Sequence, residues 1–232
     1  MKPNYQKLDL KPGMKVLDIG CGYGSMGQHL AKYYGVKVIG CTLSKEQKNF
    51  GDKYFAHPNM KIVLVDYRKV EDKFDRVYSV GMFEHVGRKN YKEYFNKCHK
   101  LLKDDGLMLL HTIATNSRSW SQNCFINKYI FPEGELPHIK NLTGKFMDKW
   151  HLEDWQNMGL SYAKTLRAWR NNIGNWSGLY KYNNKFRRMW NYYLMGCAAN
   201  FQSRGIFLWQ IVYTKNPSNR KDDCHHLRNY FQ

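Results

Sequence analysis

Glu84 and His85 stand side by side in GMFEHVG (residues 81–87), directly after the apolar run Phe74–Val80. A carboxylate beside an imidazole, between glycines at the end of a buried strand, can hold, give or take protons on a substrate. The plainer reading of the acid is a charge that stabilises a helix N-terminus. A second stretch with chemical content is Asp18-Ile19-Gly20-Cys21-Gly22-Tyr23-Gly24, between an apolar strand and a helical pattern. Glycines at that place let a backbone approach a bound nucleotide closely, with a generic tight turn as the alternative. His111 ends the apolar run Leu107–Leu110, which taken alone reads as a hydrogen-bonded core histidine. Cys197, on an apolar helical stretch, reads as a packed thiol.

The elements that must position these residues alternate. Lys15–Gly20, Val36–Leu43, Lys61–Asp66, Phe74–Val80 and Gly106–Ile113 read as buried strands, with helices at Ser25–Tyr34, from Ser44, and at Tyr91–Leu102. Ser44 and Gln47 have the spacing of a capping box. Strands alternating with helices predict an α/β fold, a mostly parallel sheet covered on both faces. Residues 115–160 lack a clean period and read as an aromatic and helical insertion over the C-terminal edge of the sheet. Beyond it, Tyr162–Trp169 reads as a sixth strand, Lys181–Phe201 as a helix and Ile206–Thr214 as a seventh strand. The expectation is one domain over 1–215 and a polar, frayed tail over 216–232.

Hydrophobic residues at 43% exclude a disordered chain. The balance of 37 Lys+Arg against 19 Asp+Glu, formally +18, favours an anionic partner. Six scattered cysteines without CxxC spacing argue against a metal site and for free thiols in a reducing compartment. The start, MKPNYQKLDLKPG, has no apolar signal segment, and no run is long enough to span a bilayer. These features predict a cytoplasmic protein that touches at most a membrane surface.

The glycine loop departs from the dinucleotide fingerprint. Ser25 stands where a third glycine is expected, and the second strand ends in Gly40-Cys41-Thr42 without an acid for a ribose. The loop therefore resembles that of class I S-adenosylmethionine-dependent methyltransferases, whose glycines pack against the methionine and ribose portions. Most of that superfamily also has an acid at the end of the second strand. Here Thr42 and Gln47 would supply those hydrogen bonds.

Further stretches narrow the resemblance: Thr42-Leu43-Ser44, Asp66-Tyr67-Arg68, GMFEHVG, His111-Thr112-Ile113, INKYIFPEGELP (126–137) and NYYLMGCAANF (191–201). Together, from about Leu10 to Lys215, they resemble the cyclopropane-fatty-acyl-phospholipid synthases and the mycolic acid cyclopropane synthases. The resemblance implies a Rossmann-like, seven-stranded methyltransferase that transfers a methylene group from S-adenosylmethionine to a cis double bond of a phospholipid acyl chain. It implies cofactor contacts at Asp18, Gly20, Cys21, Gly22, Gly24, Thr42, Leu43, Gln47, Asp66, Tyr67 and Arg68, the last two at the adenine end. It implies a bicarbonate ion held by Glu84, His111, the backbone of Ile113 and Tyr162, with Cys197 in the active site.

The chemistry suits those residue types. A cis alkene offers no proton to an ordinary base before it attacks the sulfonium methyl, and the proton must leave that methyl as the ring closes. A small oxyanion pinned in a dry site can take it. His111 and Tyr162 can donate to such an ion, and Glu84 can orient it if the ion keeps its own proton. His85 stays outside this set. The aromatic insertion (Trp120, Phe125, Tyr129, Phe131) reads either as core or as the lining of an acyl-chain tunnel. The basic faces Lys140–Lys149 and Lys181–Arg188 read either as solvated surface or as contacts to phospholipid headgroups. The implied partner is an anionic phospholipid membrane surface, met peripherally on the inner face; a homodimer is compatible, and nucleic acid is not expected.

Relatives carry a segment before the glycine loop that covers the cofactor, whereas ten residues precede Lys11-Pro12-Gly13 here. The expectation is therefore a fragment, a lid from another subunit, or an inactive protein. Two other readings stand beside the synthase: a small-amine N-methyltransferase with a similar Glu-His turn, and a silent remnant that binds S-adenosylmethionine or lipid only.

Overall fold

The computed structural model describes residues 5–117, 123–144, 147–174, 176 and 181–216. The expected tail beyond Asn216 and Trp120 of the insertion lie outside these residues.

Five parallel strands form the body of the sheet: β1 (Lys15–Ile19), β2 (Lys37–Thr42), β3 (Met60–Leu64), β4 (Phe74–Val80) and β5 (Leu102–Ala114). Strand β7 (Phe207–Thr214) runs antiparallel to β5, and β6 (His151–Asn157) antiparallel to β7, in the order β3-β2-β1-β4-β5-β7-β6. The helices are α1 (Ser25–Tyr34), α2 (Lys45–Tyr54), α3 (Tyr91–Leu101), α4 (Cys124–Tyr129), α5 (Lys140–Thr143), α6 (Gly159–Ile173) and α7 (Asn184–Gln202).

The period of two along the strands sorts side chains to the two faces of the sheet. Leu17 and Ile19 of β1, Met108 and Leu110 of β5, and Ile211 and Tyr213 of β7 share one core with α3. Val16, Leu107, Leu109 and Val212 share the other with Leu30 and Ala31 of α1 and with Leu8. Helix α3 buries Tyr91, Tyr94, Phe95, Cys98 and Leu101, a stripe at helical spacing. Each large side chain so buried contributes about 1.5–3 kcal/mol against the entropy of ordering it. Near the C-terminal end of β5, α6 and α7 pack on each other and on Leu208 through Ala163, Leu166, Leu194, Ala198 and Phe201, with Ile113 at the margin.

The expected sixth strand is corrected. Tyr162–Trp169 lies within helix α6. Its buried residues Gly159, Ala163 and Leu166 recur at helical spacing, and the aromatic and β-branched content of SYAKTLRAW hid that period. The true β6, HLEDWQN, sits inside the expected insertion at the sheet edge. Half-buried and polar, it carries little of the hydropathy signal that marks the central strands.

Candidate active site

In this strand order the connections from β1 and β4 lead to opposite sides, so a crevice opens beyond their C-terminal ends. A cavity of about 610 Å³ occupies it. Gly20, Gly22, Thr42, Leu43, Gln47, Asp66, Tyr67 and Arg68 line it, as do Met82 and His85 of the GMFEHVG turn. Its size is that of a small-molecule site.

The glycines divide their work. Gly22 has φ 55° and nothing within 4 Å of a Cβ placed there, so only a hydrogen separates its backbone from the open space. Gly24, at φ 80°, would drive a Cβ to 2.6 Å from Ile62 Cδ1; it lets α1 pack on β3 and does not line the cavity. Asp18 and Cys21 also lie off the cavity lining. Asp18 is 3% exposed, accepts the Tyr78 hydroxyl at 2.7 Å, and is pushed up to about 7 by burial. Cys21 packs against Gly40, and its thiol donates to its neighbour's carbonyl, Gly22 O, at 3.7 Å.

Where the superfamily has an acid, Thr42 Oγ1 donates to Gln47 Oε1 at 2.8 Å. Ser44 caps α2 by accepting the Gln47 N–H at 3.1 Å, but the reciprocal half of the capping box is absent because the Gln47 side chain turns to Thr42. That bond leaves the Gln47 amide N–H groups for a ligand hydroxyl. At the far end Asp66 and Arg68 are paired, Nη2 to Oδ2 at 2.6 Å and Nε to Oδ1 at 3.0 Å. Tyr67, between them in sequence, packs edge-on against Tyr94 at 5.4 Å.

The acid and imidazole of the turn face different compartments. His85 is exposed and lines the cavity. Glu84 is 8% exposed, accepts the Ile113 N–H on Oε1 at 2.6 Å, and has Oε2 enclosed without a partner among the described residues. Burial pushes its carboxyl up to about 7, against the opposing hydrogen bond from Ile113. The Ile113 amide, expected to face an ion, is thus engaged by Glu84.

Of three further expected residues, Tyr162 lies near Glu84 and Cys197, and His111 stands two residues before the Ile113 that bonds Glu84. Tyr162 projects from α6, and its phenol is raised by burial and then by the proximity of Glu84 and Cys197. Cys197 on α7 is half-buried, its thiol pushed up to about 11 by burial, the opposite of an activated nucleophile. His111 sits one pleat before Ile113 on the same face of β5; burial, with Lys7 contributing, lowers it to about 4, so the ring is neutral. Its Nδ1 is enclosed and unpartnered among the described residues.

Residue-by-residue reading missed Glu135. Its N–H donates to the Glu84 carbonyl at 2.8 Å, its carboxylate pairs with Arg88 at 2.5 Å, and Oε2 accepts the Arg88 N–H at 3.0 Å. Phe131 meets His85 edge-on at 6.2 Å. The segment INKYIFPEGELP therefore braces GMFEHVG, a physical reason for the two stretches to occur together. The signal available beforehand was only their joint presence.

A glycine loop at the β1 end, a cavity at the switch point and this sheet order define a class I S-adenosylmethionine-dependent methyltransferase. The family model for mycolic acid cyclopropane synthetase matches residues 1–211, and the chain belongs to that family. The cyclopropane-fatty-acyl-phospholipid synthase of Escherichia coli (strain K12) is 43% identical over 216 residues, 92% of this chain and 56% of that protein. The chain thus spans little more than half the length of that relative. Among solved structures, the cyclopropane synthase MmaA2 from Mycobacterium tuberculosis superposes with TM-score 0.82 at 31% identity, covering 90% of this chain and 81% of the other. The mycolic acid cyclopropane synthase CmaA1, complexed with SAH and CTAB, superposes with TM-score 0.80 at 31% identity over the same shares.

Proposed function

We propose that the chain transfers a methylene group from S-adenosylmethionine to the cis double bond of an unsaturated phospholipid acyl chain, with bicarbonate as the base. The carrying observation is Glu84 Oε2, enclosed and without a partner among the described residues, near the Tyr162 phenol. Buried polar atoms left open in this way call for a small polar guest. When bound, S-adenosylmethionine supplies an electrophilic methyl carbon and bicarbonate a basic oxygen.

The chain's residues do the rest. Gly20, Gly22, Leu43, Gln47 and Tyr67 offer the cofactor cavity. Glu84, held on Oε1 by Ile113, presents Oε2; with its carboxyl near 7 it can carry the proton that lets it face an oxyanion without repulsion. Tyr162 keeps its O–H and can donate. The aromatic side chains of the insertion and α7, with Phe125 against Tyr192 at 4.7 Å and Phe131 against Tyr193 at 5.9 Å, form an apolar face suited to an acyl chain. Among the described residues no helix is long and apolar enough to cross a membrane, while Lys140, Lys149, Lys181, Lys185 and Arg188 are exposed. Those cations support a peripheral contact with anionic headgroups.

The test incubates the chain with methyl-labelled S-adenosylmethionine and vesicles of unsaturated anionic phospholipid, with and without bicarbonate. Label in cyclopropane acyl chains, dependent on bicarbonate, is expected. Label on an added amine instead would favour an amine methyltransferase, and cofactor binding with no transfer would favour a silent binding protein.

A further inference from the structure

A row of polar side chains crosses the sheet beside Glu84. In the register of β5, β7 and β6, His111 stands opposite Gln210, and Gln210 opposite Gln156. Directly opposed residues of antiparallel strands share a face, with Cβ atoms roughly 4.5–5.5 Å apart. The row lies between two apolar ones, Leu109 with Val212 before it and Ile113 with Leu208 after it. Gln210 is 0% exposed. His111 Nδ1, Gln210 Oε1, Gln210 Nε2 and Gln156 Oε1 are all enclosed and lack a partner among the described residues. An apolar residue at 210 would remove two of these atoms, so the amide is retained at a cost in stability.

One arrangement satisfies all four atoms. The Gln210 amide lies between the other two side chains, so Nε2–H can donate to Gln156 Oε1 while Oε1 accepts from His111 Nδ1–H. These bonds need only side-chain rotation or one bridging water each. With Gln156 presenting Oε1 to the row, the opposite tautomer would leave the Gln210 oxygen without a donor. A neutral imidazole carries one N–H, so fixing it on Nδ1 leaves a lone pair on Nε2.

We infer that Gln210 is a positioning residue: with Gln156 behind it, it holds His111 as the Nδ1–H tautomer and so makes Nε2 a hydrogen-bond acceptor in the active site. The tautomer stands by itself; its use in catalysis rests on the function proposed above. There it means that His111 accepts from a guest that retains a proton, as bicarbonate does, while Tyr162 is the donor.

The experiment records nitrogen–proton correlation spectra of His111 in the chain, in Gln210→Met and in Gln210→Glu, with urea midpoints and acyl-chain labelling for each. The expected wild-type signal is a protonated Nδ1. In Gln210→Met the Nδ1 proton shifts at least partly to Nε2, the urea midpoint does not fall, and turnover drops about tenfold or more with cofactor affinity unchanged. Gln210→Glu keeps the acceptor, so Nδ1–H returns and turnover partly recovers. An Nε2–H tautomer in the wild type, or one indifferent to Gln210→Met, overturns the inference. A chain that makes no labelled lipid, yet loses its Nδ1 proton on Gln210→Met, supports it and counts against the functional reading alone.

Discussion

Ile113 N–H donates to Glu84 Oε1 at 2.6 Å, across the gap between the C-terminal ends of β4 and β5. The bond orients the carboxyl from the sheet side, and the Glu135 N–H on the Glu84 carbonyl at 2.8 Å fixes the backbone from the other. Glu84 is thus held through its side chain and through its backbone, and Oε2 is enclosed without a partner among the described residues.

Glu84→Gln keeps an oxygen for the Ile113 bond and removes the ability to take or give a proton. Turnover into labelled lipid should fall about a hundredfold or more. Cofactor affinity, measured by calorimetry, should stay within about twofold, since Glu84 does not line the cofactor cavity. A large loss of affinity instead would mean that Glu84 holds the cofactor.

Gly22→Ala and Gly24→Ala should separate cofactor binding from folding. Both positions have positive φ, so each substitution costs about 1 kcal/mol of backbone strain. At Gly22, which lines the cavity, the methyl meets no protein atom, so affinity for S-adenosylmethionine should drop about tenfold or more while the urea midpoint moves little. At Gly24 it collides with Ile62 and Met60, so the midpoint should fall further than at Gly22. Equal affinity losses at matched stability would remove the distinction.

The contrast between the two glycines also marks what the sequence could reveal. Strands β1 to β4 and the Gly106–Ile113 part of β5 were legible as short apolar runs between turn signals, whereas the polar start of β5, Leu102–Asp105, was not. The loop DIGCGYG was legible as a loop, but which glycine meets a ligand and which meets Ile62 depends on β3, remote in sequence. Glu84 and His111 were placed by resemblance; nothing in spacing alone separates Glu84, buried, from His85, exposed. The edge strand β6 stayed hidden because its partner β7 lies about 50 residues further on and its own hydropathy is low. Gln156 and Gln210 become a row only through that pairing.

Cys197 sits close to Tyr162, yet burial holds its thiol protonated at neutral pH. Cys197→Ser should therefore retain turnover within about tenfold, losing only packing against α6 and α7. Iodoacetamide should modify exposed Cys124 well before Cys197, as read by peptide mass spectrometry. Rapid labelling of Cys197, or loss of all turnover in the serine variant, would restore a nucleophilic role to the thiol.

Asp18 and Glu84 give the fold an unusual pH dependence. Both carboxyls are buried and stand near 7 in the folded chain, against 3.8 and 4.5 unfolded. Between those values the folded state keeps a proton that the unfolded chain has lost, so their contribution is fully present at low pH and declines as pH rises to about 7. Each amounts to about 1.4 kcal/mol per pH unit, on the order of 3–4 kcal/mol across its window. His111 acts in the opposite sense: lowered to about 4 from 6.5, it contributes above pH 6.5 and loses that contribution as pH falls toward 4. Asp18→Asn keeps an oxygen to accept the Tyr78 hydroxyl, and Glu84→Gln keeps the Ile113 bond. Urea midpoints between pH 4.5 and 7.5 should therefore fall less with rising pH in either variant than in the wild type. In the double variant the His111 dependence should emerge, with stability rising with pH up to about 6.5. Parallel pH curves for the wild type and both variants would place the two carboxyls at ordinary values and take the proton off Glu84.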